Sequence, residues 1–416
     1  MSGLRKPSSI ARGSNLPLLG RTRLMSFYQR RVIRLAATEK RPALAAFLPQ
    51  YGLPWITSYF RHILKGRYRP YPTYMGTGHS GRYAMRCEAG HGPVRMSIAS
   101  DWGTGTHEAA QVAESIRAAE PDYTIHLGDI YYVGDETEVR ENFVGAAVNQ
   151  YAPVSWPKGS VGTFALPGNH EMYGGGHAFF TTVLSYCDTG EGTRQLASYF
   201  CLESEHWRIL GLDTGYNSAG LPLLGWLPGI DRLRGVHADG RLEDGLLTWL
   251  RETIRPQENR KATLLLSHHQ YLTAYSDEVF VRPAQQLEEL FAGQEVVWLF
   301  GHEHRLGIFK RRRSPGGFPV YARCIGHGGM PVECGERPQR HRGLKFYDPR
   351  ADYPLDPGGG AYAGWNGFVN VQFHGMEMAL DYRDLHNRPM FQECFVAKPD
   401  GRLQHAYKNV RLSPGP

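Results

Sequence analysis

The chain has 416 residues, 41% hydrophobic and 21% charged, enough for one large domain or two ordinary ones with a substantial core. No apolar run approaches the ~18 residues of a membrane-spanning helix, and the start lacks the compact apolar segment that directs export, so a cytoplasmic protein is expected. The six cysteines are scattered without a Cys-x-x-Cys pair, which argues for reduced thiols and against a disulfide framework or a zinc ribbon.

The net charge of +7 is unevenly spread. Residues 1–87 hold 16 Lys and Arg against Glu39 alone, while the remainder carries 31 basic and 39 acidic residues. The basic stretch reads either as a solvated extension or as an arm that contacts nucleic acid or an anionic membrane surface. Within it, residues 1–25 are expected to be disordered. Residues 26–66 hold helical stretches that Pro42 interrupts, and 67–83 is a Pro- and Gly-rich connection. An extension over 1–90 is therefore expected, followed by a catalytic domain over 91–400 and a tail over 401–416.

From residue 93 the pattern changes. Val94–Asp101 reads as a strand, His107–Glu120 as a helix, and Tyr123–Asp129 and Thr163–His170 as strands. Ser198–Glu203 and Trp207–Thr214 pair as a hairpin, before a loop rich in Gly and Pro. Leu242–Arg255 is an amphipathic helix, Ala262–His269 a strand, Pro283–Ala292 a helix and Glu295–His304 a strand. Beyond residue 305 the signals are β, over 307–313, 318–326, 367–375 and 377–384. This alternation predicts an α/β layer fold with a β-rich second half.

Five of these strand-like runs end in polar residues able to bind metal: Asp101, Asp129, Asn169-His170, His268-His269 and His302. Sites in open α/β sheets lie beyond the carboxyl ends of strands, so these segments are expected to converge. Two carboxylates, an amide oxygen and three imidazoles (His304 included) suit divalent or trivalent transition ions better than a cysteine zinc site does. His302 and His304, if extended, point the same way about 6.6 Å apart, so each can reach a different ion of a pair roughly 3.5–4 Å apart. Asp129 is followed by Tyr131 and Tyr132, which either pack or supply a phenolate to a metal shared with Asp129.

In this order, D-x-G at 101–103, G-D-x-x-Y at 128–132, G-N-H-E at 168–171, the histidine of Ser267-His268-His269 and G-H-x-H at 301–304 resemble the motifs of the calcineurin-like metallophosphoesterases. Within that superfamily they resemble the purple acid phosphatase type. The resemblance covers residues 93–375 and does not extend to 1–87. It implies a metallophosphoesterase-type β-sandwich flanked by helices, here with a basic N-terminal extension. Many members carry D-x-H where this chain has Gly103, and Tyr132 stands at the last place of G-D-x-x-Y. The resemblance therefore makes Tyr132 a phenolate ligand in place of an imidazole, with Tyr131 packing or lining the cleft. It assigns Asp101, Asp129, Tyr132 and His304 to a first metal, and Asn169, His268 and His302 to a second, with Asp129 bridging. A phenolate favours Fe³⁺ at the first site, with Fe²⁺, Zn²⁺ or Mn²⁺ at the second. The chain departs from the family at Gln270, where proline is frequent, and at Leu265, where valine is usual.

The implied reaction is phosphate-ester hydrolysis. A metal lowers the pKa of bound water from about 15.7 to roughly 7, and a pair clamps the attacking and departing oxygens. Metal-bound hydroxide would attack phosphorus in line, and His170, which matches no ligand position, would protonate the leaving alkoxide. Glu171, either orienting His170 or meeting substrate, joins His269 and His327 as a candidate substrate contact. His107 reads as a helix start or a site neighbour, and Asp213 as a support for the site or a turn. The competing functions are a Mn²⁺ or Zn²⁺ phosphodiesterase of nucleotides or lipid head groups, a non-catalytic scaffold of this fold, and a nucleic-acid-binding module. The presence of every ligand type favours a hydrolase.

Overall fold

The computed structural model describes residues 64–86, 92–148, 153–218, 239–275, 278–334, 338–339, 343–354 and 362–409. The readings for residues 1–25 and for most of 26–66 lie outside the described residues. In the first part of the chain the strands are β1 (Arg82–Ala84), β2 (Val94–Ala99), β3 (Tyr123–His126), β4 (Gly162–Ala165), β5 (Phe200–Glu203), β6 (Trp207–Gly211), β7 (Ala262–Ser267) and β8 (Val296–Phe300). The second part supplies β9 (Leu306–Phe309), β10 (Arg312–Arg313), β11 (Pro319–Ile325), β12 (Val332–Cys334), β13 (Leu344–Tyr347), β14 (Ala351–Pro354), β15 (Tyr362–Gly364), β16 (Gly367–His374), β17 (Glu377–Asp384), β18 (Pro389–Ala397) and β19 (Leu403–Asn409).

Two large sheets face each other. One runs β1-β5-β6-β7-β8-β11-β9-β13, with β10 on β11; the other runs β19-β18-β17-β16-β2-β3-β4; β12, β15 and β14 form a small third sheet. The strands β2, β3 and β4 are parallel neighbours, as are β6, β7, β8 and β11. Ile98, Ile125, Phe164, Val371 and Leu380 of one sheet meet Ile209, Leu264, Leu266 and Leu299 of the other in a single core. The alternate residues Leu265, Trp298 and Phe300 face outward, under Leu246, Leu250 and Leu287. Burial on both faces is why these strands read as continuous apolar runs. On the outside of the second sheet, Ala99 and Ala165 are covered by Val112 and Ile116 of α1 (His107–Ala118). This is the expected sandwich flanked by helices.

Several elements depart from the sequence reading. α2 (Glu136–Asn142) and α3 (Asn169–Tyr173) are too short for a periodic apolar signal. Residues 403–409, expected to be tail, form β19 and pair along β18 from Phe391↔Asn409 to Ala397↔Leu403. The boundary drawn at residue 90 also fails for residues 66–86. Tyr68 stacks on Phe180 at 5.0 Å, and Tyr71 packs edge-on to Tyr216 at 4.7 Å. Tyr74 is buried against Tyr199 and Trp249, and β1 pairs in parallel with β5. Proline and glycine mark this stretch as a connection, yet its tyrosines carry enough apolar area to bind it to the domain.

Candidate metal centre

Every run singled out by sequence ends where expected. Asp101 follows β2, Asp129 follows β3, Asn169 and His170 follow β4, His268 and His269 follow β7, and His302 and His304 follow β8. Asp101, Asp129 and His302 have left-handed backbones, with φ of 59, 72 and 66°. Such conformations cost of order 1–3 kcal/mol each and persist where the surroundings over-determine them. Here Asp101 N–H donates to Gly128 O at 3.0 Å, and His302 N–H donates to Asp101 Oδ2 at 2.9 Å. Two glycines are dictated by close approach. A Cβ on Gly168 would lie 2.1 Å from Asp129 Oδ1, and one on Gly301 would lie 1.8 Å from Ser100 Oγ and 2.5 Å from Asp101 Oδ2.

The side chains gather in two sets that share Asp129. In the first, the Tyr131 hydroxyl donates to Asp101 Oδ1 at 2.9 Å and to Asp129 Oδ2 at 3.1 Å, and lies 3.1 Å from His304 Nε2. In the second, Asn169 Oδ1 lies 2.9 Å from His302 Nδ1 and 3.2 Å from His268 Nε2, which is 3.3 Å from Asp129 Oδ2. Two sequence expectations change. The tyrosine among Asp101, Asp129 and His304 is Tyr131, where Tyr132 was expected. Ile130 bridges in parallel to Gly103, and Tyr131 N–H donates to Gly103 O at 2.9 Å. These two contacts fix the chain at Ile130 and Tyr131, and the Tyr131 hydroxyl reaches both carboxylates. His302 and His304 do not lie on extended backbone, because His302 is left-handed, and their rings enter the cluster through turns.

The donor chemistry fits metal ions. Asp101 and Asp129 are buried, and among the described residues their ion-pair partners are His170, His268 and His304, with no Lys or Arg. Buried carboxylates without a fixed cation are costly. Burial opposes the charge on His268, but Asp129 and Asp101 outweigh it and carry its pKa up to about 9. Burial likewise opposes ionisation of Asp129, yet His268 and His170 hold it well below its usual range. Potential ligand atoms of Asp101, Asp129 and His268 lie within 4.8 Å of one another, as do those of His268, His269 and His302.

His170 sits at the edge of this cluster. Its Nδ1 is 2.6 Å from Tyr132 O and its Nε2 is 3.8 Å from Asp129 Oδ2, while its ring packs on Tyr131 at 4.3 Å. The three side chains expected to meet substrate are all buried. Glu171 accepts from the N–H groups of Gly168, Asp129 and Ile130 at 2.7, 3.2 and 2.8 Å, tying the two ligand loops together. Burial pushes its carboxyl up to about 8. His269 is held by Thr214 Oγ1 at 3.0 Å and lies beside His302 at the second set. His327 packs against Gly367, and burial lowers its pKa to about 4. Its loop braces the first set, since Gly328 and Met330 donate to Ser100 O and Asp101 O. His107 is the exposed first residue of α1, where Thr106 provides the cap. Asp213 supports rather than joins the cluster, holding Ser198 and Tyr71 beside Thr214.

Sequence reasoning missed Tyr173, whose hydroxyl accepts from Asn169 Nδ2 at 3.0 Å, and Glu278, whose Oε2 is 3.7 Å from His302 Nε2. Tyr173 carried a readable signal, since it stands four residues after Asn169 and i,i+4 residues share a helix face. Glu278 carried none.

Comparison with known proteins gives three results. The model of the calcineurin-like phosphoesterases matches residues 95–306. No curated protein matches. Similar solved structures include PhoD, at 13% identity and TM-score 0.46, covering 78% of this chain and 73% of that one. They also include a conserved uncharacterized protein of Streptococcus pneumoniae described as a predicted phosphoesterase, at 11% identity and TM-score 0.26, covering 76% and 99%. A Vps29 point mutant of Entamoeba histolytica follows at 9% and 0.25, covering 76% and 99%. With the family model spanning half of the sequence, the chain belongs to the calcineurin-like phosphoesterases, a family of metal-dependent phosphoesterases that normally bind two metal ions.

Proposed function

We propose that the protein is a dinuclear-metal phosphoesterase of the purple acid phosphatase type, hydrolysing phosphate esters at the cluster centred on Asp129. One observation carries the reading: Asp129 stands between two donor sets, its Oδ2 3.1 Å from the Tyr131 hydroxyl and 3.3 Å from His268 Nε2. Asp101, Asp129, Tyr131 and His304 would hold one cation, with Fe³⁺ suited to the phenolate. Asp129, Asn169, His268 and His302 would hold a second, Fe²⁺, Zn²⁺ or Mn²⁺. Cations held by these residues would supply acidification of a bound water and neutralisation of the phosphate oxygens.

The chain's own part in turnover is orientation and proton transfer. With Nδ1 donating to Tyr132 O at 2.6 Å, His170 turns Nε2 toward the cluster, and the ring of Tyr131 fixes its plane. A proton held at Nε2 passes to the departing alkoxide oxygen. Phosphoryl transfer asks mainly for positioning and charge stabilisation, and the Glu171 carboxyl supplies the first by joining the Asp129 and Asn169 loops.

The Tyr131 hydroxyl also supports a second reading. Because it donates to both Asp101 and Asp129, a phenol that keeps its proton would steady the carboxylates in a Mn²⁺ or Zn²⁺ phosphodiesterase. The test of either reading is hydrolysis of a panel of phosphate mono- and diesters by protein loaded in turn with iron, Zn²⁺ and Mn²⁺. Turnover that a chelator abolishes and metal restores is expected. No hydrolysis of any ester with any of these metals would overturn both.

A further inference from the structure

We infer that Tyr173 is the positioning residue of the second metal set, holding the Asn169 amide so that its oxygen faces the ion. The inference rests on the dinuclear reading above. An asparagine side chain ends in an oxygen that can bind a cation and an NH₂ group that cannot, and the two differ only by a half-turn about the last bond. Asn169 Oδ1 faces His302 Nδ1 at 2.9 Å and His268 Nε2 at 3.2 Å, where three atoms able to bind a cation converge. Its Nδ2 faces the other way and donates to the Tyr173 hydroxyl at 3.0 Å.

The placement follows from local sequence. Gly168 caps the short helix α3, the Glu171 carboxyl reaches back to Gly168 N–H, and Gly174 ends the helix after one turn. One turn is enough to stack residue 173 over residue 169. Gly175 and Gly176 follow at φ of 71 and 77°, so the chain leaves the helix directly after the tyrosine. The Tyr173 ring also meets His170 edge-on at 5.0 Å, and the side chain is only half-buried, at the rim of the cluster. Partners that orient metal ligands typically contribute 10–100-fold to metal affinity.

The experiment is metal binding by Tyr173→Phe, which keeps the ring on His170 and removes only the hydroxyl. The full chain, stripped of metal, is titrated with Zn²⁺ in a calorimeter, and its thermal midpoint is measured without metal. Two binding steps are expected in the parent. In Tyr173→Phe one step should weaken by roughly 10–100-fold, while the other step stays unchanged and the metal-free midpoint falls only by the small amount that one hydrogen bond is worth. In an Asn169→Asp background either oxygen can face the ion, so Tyr173→Phe should there cost less than about threefold, a coupling that a purely structural ring would not show. Unchanged binding in Tyr173→Phe, or equal weakening of both steps with a lowered midpoint, would overturn the inference and leave the dinuclear reading standing. A parent protein with a single binding step would instead contradict the dinuclear reading itself.

Discussion

Replacing Tyr74 by alanine tests whether residues 66–86 belong to the catalytic fold. The side chain is 5% exposed; its ring lies edge-on to Tyr199 at 5.3 Å and near Trp249 at 6.2 Å. Its hydroxyl donates to Tyr199 O at 2.9 Å, and its ring covers Gly81 so closely that a Cβ there would overlap it. Truncating a buried aromatic costs roughly 3–5 kcal/mol through lost transfer energy and the cavity left behind. At about 2–4 °C per kcal/mol, the rate for chains somewhat shorter than this one, Tyr74→Ala should lower the unfolding midpoint by roughly 6–20 °C. Tyr74→Phe should cost only about 1 kcal/mol, the worth of one hydrogen bond. Thermal unfolding of the full chain, followed by circular dichroism, reads both. A midpoint for Tyr74→Ala within about 2 °C of the parent would refute the reasoning and return this stretch to the status of a loose connection.

Other outcomes follow from the site and its supports. His170→Ala should keep its metals and lose turnover by roughly 10²–10⁴-fold, less for esters with good leaving groups; an equal loss across leaving groups would assign His170 to phosphate positioning. Iron-loaded protein should be coloured by a tyrosinate-to-iron band that Tyr131→Phe removes and Tyr132→Phe leaves, as absorption spectra will show; bleaching by Tyr132→Phe would restore the assignment made from the motif. Acid stability should track Glu393, which accepts from Arg323 at 2.6 and 2.7 Å, from Tyr382 at 2.8 Å and from His405 at 2.8 Å. Burial opposes its ionisation, but Arg323 outweighs burial and holds the pKa down to about 2. A carboxyl depressed in the folded state contributes stability above its unfolded pKa and loses it as pH falls toward the folded value. About 3 kcal/mol should therefore disappear between roughly pH 4.5 and 2. Denaturant melts at stepped pH should show that slope in the parent and a flatter one in Glu393→Gln.

The legible part of this molecule is the part where an apolar run stops at a polar residue. β7 and β8 are buried on both faces and read as nearly unbroken apolar runs, β2 and β3 carry Arg95, Ser97 and Thr124 among their apolar residues, and all four stop just before a residue of the cluster. The strands β18 and β19 were harder to read because a polar pair interrupts the apolar alternation of their inner face. Gln392 and Cys394 point outward, and inside, polar His405 meets Glu393. The site was readable as a set of residues but not as a set of directions. G-D-x-x-Y selects Tyr132 by counting from Asp129, whereas the Ile130 bridge to Gly103 turns Tyr131 to the carboxylates. Motif counting is blind to that bridge. A polar residue beside a ligand loop is as often needed to hold the loop, as Glu171 does with three N–H groups, and sequence alone does not separate that role from substrate contact.

The central claim is that one carboxylate, Asp129, joins two cation sites. The most direct measurement is the number of metal equivalents retained per chain after reconstitution and dialysis, by elemental analysis, in the parent and in Asp129→Asn. The account predicts two equivalents in the parent and one or none in Asp129→Asn, with the circular dichroism of the two proteins alike. A parent chain that retains one or none, or an Asp129→Asn chain that still retains two, would contradict it.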